Sequence, residues 1–308
     1  MRAVVVKAYG GPEALLTVEV PTPEPGPGQV RITVEAAAIN PVDLFIRSGG
    51  LTFHGAPARE QTGIGCDVAG VVEALGEDVT DVKIGDRVIA ASTHSGFSRD
   101  LGPYADQAII AVDELAPAPA EWPAEQAASL PLPGLTAWQC LDIVALPAGA
   151  TLLVTGAAGG VGAMLVQLGT LRGLTVVAVA RSSDESYVRE LGAGYFVDDV
   201  AKVRELLPEG VDAAVDPAKL VQDAHDAVRD GGTFVAVVAD GGPEDGRGIA
   251  SQVMWAHPAR EQLDALVALV DEGKLKVRVA GTLPLDQAAE AHARMAEGGL
   301  RGRLVLLP

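Results

Sequence analysis

The chain has 308 residues, 48% of them hydrophobic but only 4% aromatic, and a formal net charge of −18. That length suits about two domains with aliphatic cores, and the charge opposes binding to nucleic acid or to an anionic membrane surface. Its two cysteines, Cys66 and Cys140, are far apart and form no Cys-x-x-Cys pair, which argues against a disulfide framework or a structural zinc site.

From the start, residues 1–120 read as short strands and turns, with strands predicted at 3–8, 16–20, 29–38, 68–75, 87–91 and 105–112. The proline-rich stretch 21–28 lacks the N–H groups for a ladder and is a loop. Met1-Arg2-Ala3-Val4-Val5-Val6-Lys7 is too short an apolar run for a signal peptide, and no stretch approaches membrane-spanning length, so a cytoplasmic location is expected. Composition shifts over 116–133, rich in Ala and Pro, where the chain is expected to cross into a second domain; a helix is predicted over 135–144.

The second domain opens on a β-branched apolar run at 151–155 that breaks into Gly156-Ala157-Ala158-Gly159-Gly160-Val161-Gly162, where a helical pattern over 160–172 begins. Gly156, Gly159 and Gly162 have the spacing of a dinucleotide fingerprint. Such glycines allow a sharp turn, bring a pyrophosphate close to the main chain and let the helix pack on the strand. Further strands at 175–180, 195–197, 211–215, 233–238 and 277–283, with helices between most of them, predict an α/β domain built on a doubly wound parallel sheet, a Rossmann unit. An acid at the end of the second strand would hold the ribose hydroxyls of NAD. This chain has Ala180-Arg181-Ser182-Ser183, a cation and hydroxyls suited to a 2′-phosphate, although Asp184 and Glu185 weaken the positive field. NADPH is therefore favoured over NADH. Asp216 and Val238-Ala239, which end the fourth and fifth strands, are expected near the ribose and nicotinamide.

After 277–283 come a helix over 286–296, the glycine-rich 298–303 and a final strand at 304–307. The chain thus leaves and re-enters its first domain, giving expected limits of 1–121 with 279–308 for one and 122–278 for the other.

Several motifs in order resemble one family: Ala36-Ala37-Ala38-Ile39-Asn40-Pro41-Val42-Asp43, Gly65-Cys66-Asp67-Val68-Ala69-Gly70-Val71-Val72, Gly85-Asp86-Arg87-Val88, Leu135-Thr136-Ala137-Trp138, the run 155–162, and Arg301-Gly302-Arg303-Leu304-Val305. Over nearly its whole length the chain is similar to the zinc-free medium-chain dehydrogenase/reductases of the quinone oxidoreductase (zeta-crystallin-like) group. The resemblance implies a GroES-like, irregular β catalytic domain built from both chain ends, an active site in the cleft beside the Rossmann domain, and a homodimer, for which 277–283 is a candidate edge strand. It places Thr136 near the nicotinamide carboxamide and groups Arg301 and Arg303 with the cofactor contacts.

Zinc alcohol dehydrogenases resemble this chain but carry a cysteine where Asn40 stands, a His-Glu pair where Cys66-Asp67 stands, and a four-cysteine lobe where 91–106 holds none. Catalytic zinc needs three protein ligands of S and N type, so no metal is expected. A simple ketone needs its oxygen polarised before it takes a hydride. A quinone or enone is already electrophilic, and the protein's task is then positioning.

Hydride transfer from NADPH to a quinone or similar conjugated carbonyl is the expected reaction. Two alternatives stand beside it: enoyl or enone reduction at a carbon–carbon double bond, and a non-catalytic NADPH-binding protein. Asn40 has an amide that donates without titrating, suited either to a substrate oxygen or to capping the turn before Pro41. Asp43 matches a family acid and is suited to ordering the loop. Phe45 and Phe53 are candidates to stack on a flat ring. Family members carry tyrosines in this stretch, and here His54 or Thr52 stands as a possible proton donor in their place.

Overall fold

The computed structural model describes residues 1–50, 60–93, 99–237, 242–244 and 246–308. It divides into two compact units, Met1–Leu132 with His257–Pro308, and Pro133–Ala256. No helix among the described residues is long and apolar enough to cross a membrane.

The second unit is a six-stranded parallel sheet. Its order runs Tyr195–Val197, Thr175–Val179, Thr151–Val154, Val211–Asp216, Val228–Val237, Ala250–Met254. The chain moves outward from the central strand in one direction, then returns and moves outward in the other, which is the doubly wound pattern. Strands covered on both faces must be apolar throughout, and Leu152, Leu153 and Val154 are fully buried. Helix Gly160–Leu171 is buried along 162–169. It lies close enough to the sheet that a Cβ on Gly169 would sit 3.2 Å from Val176 Cγ2.

The sixth strand of this sheet is Ala250–Met254, not 277–283 as the sequence suggested. Only Met254 in it is buried, so neither alternation nor an apolar run announces it. The 277–283 run forms Val279–Pro284 and pairs in parallel with Arg303–Leu307, across the helix Ala288–Glu297. A parallel pair needs such a crossover, and here the crossover is local, which keeps this strand with the chain's end.

The first unit holds a three-stranded antiparallel sheet of Leu15–Glu19, Arg2–Val6 and Thr62–Gly63. Beside it is a mixed seven-stranded sheet ordered Val279–Pro284, Arg303–Leu307, Gln29–Ala38, Asp67–Leu75, Arg87–Ala91, Leu115–Pro117, with Gln107–Ala111 paired to Gln29–Ala38. Val305 and Leu306 lie opposite Ala38 and Ala37, so the last strand is built into the N-terminal sheet.

The unit limits differ from those expected at 121/122 and 278/279 because two connecting segments pack on the first unit. Helix Ala124–Ala127 lies against Gln29–Ala38 and Asp67–Leu75. Helix Arg260–Asp271 buries Leu263, Leu266, Val267 and Val270 and packs on Leu115–Pro117. Arg260 pairs with Asp81 at 3.2 Å, and the Ala120 N–H donates to Asp271 Oδ1 at 3.1 Å.

Candidate functional site

In the second unit the predicted glycine turn joins strand Thr151–Val154 to helix Gly160–Leu171. Gly156 has φ +54, in the left-handed region. A Cβ at Gly162 would lie 2.1 Å from the Gly156 carbonyl oxygen, so no side chain fits there. Gly159 stands at the helix N-cap, and first-turn N–H groups of a helix have no partner within it, which suits an anionic ligand. Ala157 is buried and its N–H donates to the Val179 carbonyl at 3.0 Å, tying the turn to the second strand. Ala158 completes the turn, and Gly160 and Val161 open the helix. These features fit the pyrophosphate of a nicotinamide dinucleotide.

Asp216 ends the fourth strand almost fully buried. Its Oδ1 accepts from the Thr155 hydroxyl and from the Ala218 N–H at 3.1 Å, and its Oδ2 accepts from the Val221 N–H at 2.7 Å. Lys219 and Val221 have φ +59 and +35. A β-branched residue there is strained, and the Asp216 carboxylate holds the strained turn in place. Ala218 Cβ would be 3.3 Å from a Cβ on Gly156, so this turn shapes the wall of the glycine loop.

Arg181 follows the second strand and pairs with Asp184, Nη2 to Oδ2 at 3.1 Å. Ser182 Oγ donates to Asp198 Oδ2 at 3.0 Å. Thr136 is buried on helix Pro131–Val144. Phe53, His54, Val238 and Ala239 lie outside the described residues.

In the first unit the structure gathers Asn40, Asp43 and Arg303 around an acid that the sequence did not single out, Asp67. Asn40 precedes helix Pro41–Arg47, and its N–H donates to Asp43 Oδ2 at 2.7 Å, closing the turn. Its side-chain Nδ2 donates to Asp67 Oδ2 at 3.0 Å while Oδ1 accepts from Arg303 Nη2 at 2.8 Å. The same Nη2 reaches Asp67 Oδ2 at 2.8 Å. The Leu132 N–H, in the first turn of helix Pro131–Val144, donates to Asp67 Oδ1 at 2.6 Å.

Asp43 is fully buried and accepts from Tyr104 Oη at 3.0 Å and Cys66 Sγ at 3.2 Å. Arg303, grouped with cofactor contacts by resemblance, is thus buried against Asp67 and Asn40. Arg301 is exposed in the turn before it. Phe45 is half-buried on the same helix as Asp43, its ring packed over Gly50, where a Cβ would lie 2.2 Å from a ring carbon.

Burial sets the titration of this cluster. Desolvation raises Asp67 to about 7 despite Arg303, and raises Asp43 against the hydrogen bonds from Asn40, Cys66 and Tyr104. Burial pushes the Cys66 thiol well up, with Asp43 adding to it. Tyr104 Oη also meets His292 Nε2 at 3.4 Å, and His292 Nδ1 lies 3.3 Å from Arg47 Nη1. Burial, then Arg47, lowers His292 to about 3 from 6.5.

Between pH 6.5 and about 3 the unfolded chain therefore takes a proton that the native ring refuses, and stability rises with pH across that window. Urea titrations of a His292→Gln variant are expected to show a flatter stability profile between pH 4 and 6, by up to about 1.4 kcal/mol per pH unit. An unchanged slope would refute this.

Asp67 and Tyr104 had a readable signal: a carboxylate inside the apolar run Gly65-Cys66-Asp67-Val68-Ala69-Gly70-Val71-Val72, and a tyrosine preceding a strand. An acid in such a run needs a buried partner. Which partner was beyond reach, since Arg303 lies 236 positions away.

Two family models match the chain, the alcohol dehydrogenase GroES-like domain over residues 26–120 and the zinc-binding dehydrogenase over 191–306. Human quinone oxidoreductase is 32% identical over 330 residues, spanning 100% of this chain and 98% of its own. The chain belongs to the medium-chain dehydrogenase/reductase family. Within it, the chain falls in the quinone oxidoreductase, zeta-crystallin-like, group.

A chloroplastic NADPH-dependent alkenal/one oxidoreductase of Arabidopsis thaliana is also similar to this medium-chain reductase, at 32% identity over 315 residues, 100% of this chain and 80% of that one. A solved NAD-dependent alcohol dehydrogenase superposes with a TM-score of 0.88 at 32% identity, both chains covered in full. The protein is an NAD(P)H-dependent oxidoreductase acting on a small molecule.

One matching model is named for zinc, and the donors here do not suit that ion. The Cys66 thiol is held protonated against Asp43, with Arg99 Nη2 3.9 Å from its sulfur. Asp67 is already paired with a guanidinium, and Asn40 offers an amide engaged on both sides. Catalytic zinc takes three ligands, chiefly imidazole or thiolate, and this set supplies neither.

Proposed function

We propose that this medium-chain reductase transfers a hydride from NADPH to a quinone or similar conjugated carbonyl without a metal. The observation that carries the reading is the Asn40–Asp67–Arg303 cluster. Asn40 and Cys66-Asp67 stand where zinc alcohol dehydrogenases carry a cysteine and a His-Glu pair, and Arg303 occupies the Asn40 and Asp67 oxygens, so the acceptor has to be electrophilic without Lewis-acid help.

The dinucleotide supplies the hydride, and the chain supplies place and charge. The 156–162 turn and the amino end of helix Gly160–Leu171 hold the pyrophosphate. Arg181 and Ser182 meet the 2′-phosphate, Asp216 keeps the adjoining turn in shape, and Thr136 contacts the carboxamide. Val238, Ala239 and Arg301 complete the cofactor contacts. Asn40 is oriented by Arg303 and Asp67 and stands nearest the substrate oxygen. Asp43 and Arg303 act through Asn40 as positioning residues, while Phe45 and Phe53 flank a flat ring and His54 is the candidate proton donor.

Oxidation of NADPH, followed by absorbance with a panel of quinones, enones and saturated ketones, tests the reading. Quinones are expected to turn over and saturated ketones to fail. Enones reacting while quinones fail would support the second reading, which the similarity to the alkenal/one oxidoreductase favours. Vigorous turnover of saturated ketones or alcohols would overturn both.

A further inference from the structure

The two groups offered to a 2′-phosphate are both tied to acids. One oxygen of Asp184, Oδ2, lies 3.2 Å from Arg181 Nε and 3.1 Å from Nη2. The Asp184 side chain is 2% exposed and that of Arg181 is 52% exposed, so the acid is the fixed member and the cation reaches outward from it. The Ser182 hydroxyl donates to Asp198, whose carboxyl is held below the usual range by hydrogen bonds from Lys202 and from Ser182 itself. It is therefore ionised at neutral pH.

We propose that Asp184, seconded by Asp198, is a specificity-determining residue that holds the discrimination between NADPH and NADH to a small factor. The proposal rests on the reading that the 156–162 turn binds a dinucleotide. A 2′-phosphate is close to a dianion and gains from an unopposed guanidinium. Asp184 accepts from the Arg181 Nε–H and pairs with Nη2, and so offsets the guanidinium charge from the protein side. It also repels the phosphate directly, at a separation where one unit charge matters. NADH brings ribose hydroxyls instead, which lose nothing beside a carboxylate. The same acid therefore weakens one cofactor and spares the other. A carboxylate that merely aimed Arg181 at the phosphate would have the opposite effect, so the sign of the change decides.

Calorimetric Kd values for NADPH and NADH, measured with no acceptor present, provide the test. The parent protein is expected to bind the two within about tenfold of each other, and Asp184→Asn to tighten NADPH about fivefold at unchanged NADH affinity. The gain shrinks at high salt and falls when Arg181→Ala is added, leaving only the part due to direct repulsion of the phosphate. An NADPH/NADH ratio that stays put or moves toward NADH in Asp184→Asn would overturn the proposal. Should burial of the asparagine prevent folding, seen as lost circular dichroism and NADH binding, the more exposed Asp198→Asn takes its place. It must shift the ratio in the same direction, by removing the negative charge beside Ser182, or the proposal falls. Turnover plays no part in this measurement, so failed quinone reduction leaves it standing. Failure of the parent to bind either dinucleotide overturns both readings.

Discussion

Replacing Arg303 with methionine is expected to cost about 3–5 kcal/mol of stability at pH 9, because it strands the buried Asp67 carboxylate without its cation. The cost should depend strongly on pH, with a sign set by Asp67. Burial raises its folded pKa to about 7 from 3.8. Between those values the native state keeps a proton that the unfolded chain has lost, so unfolding releases it. The contribution of Asp67 is therefore fully present below about pH 3.8 and is lost as pH rises through about 7. At pH 5 the acid is largely neutral and needs no cation, so Arg303→Met should cost little beyond the hydrogen bonds to Asn40 and to the neutral acid, about 1–2 kcal/mol. At pH 9 the parent bears an ion pair and the variant a lone charge. Adding Asp67→Asn to Arg303→Met is expected to restore most of the loss at pH 9. Urea denaturation from pH 5 to 9 measures all three proteins, and a cost independent of pH would show that the pair is not coupled as the geometry indicates.

Gly162→Val is expected to weaken NADPH binding on the order of a hundredfold, about 2.8 kcal/mol, and to destabilise the fold by a further 1–3 kcal/mol, roughly the usual cost of overpacking. A Cβ there would meet the Gly156 carbonyl oxygen at 2.1 Å, its carbon at 2.7 Å and Ala157 Cα at 2.8 Å. These are all backbone atoms, which cannot swing aside as a side chain would. The turn has to open, and its opening spoils the cradle for the pyrophosphate. Gly242→Ala is the control, since a Cβ at Gly242 meets nothing within 4 Å among the described residues, and it should leave affinity and Tm unchanged. Calorimetry and thermal melts of the two variants give the comparison. Undiminished NADPH affinity in Gly162→Val would remove this turn from the cofactor site.

Local chemistry makes much of the molecule legible in its residues alone. Strands Gln29–Ala38, Arg87–Ala91 and Tyr195–Val197 fall at the residues the sequence indicated, because each is an apolar or alternating run bounded by turn residues. The glycine turn was equally plain, since close backbone approach leaves no alternative to glycine at Gly162. Ala250–Met254 carries no such signal, because an exposed edge strand is under little pressure to be apolar. Val279–Pro284 is legible as a strand, but its sheet is not, since it pairs with Arg303–Leu307, a neighbour its own residues do not encode.

What the amino-acid order determined by itself was the doubly wound domain, its glycine turn and the kinship with medium-chain reductases. These depend on periodicity and on residues a few positions apart. Only the folded chain decided which side chains are left to act. It buried Asp43 and Arg303 behind Asn40, set Asp67 at their centre, and tied Arg181 and Ser182 to Asp184 and Asp198. Most of those contacts join residues far apart in sequence, and whether a charge stays free or is neutralised depends on which partner burial brings beside it.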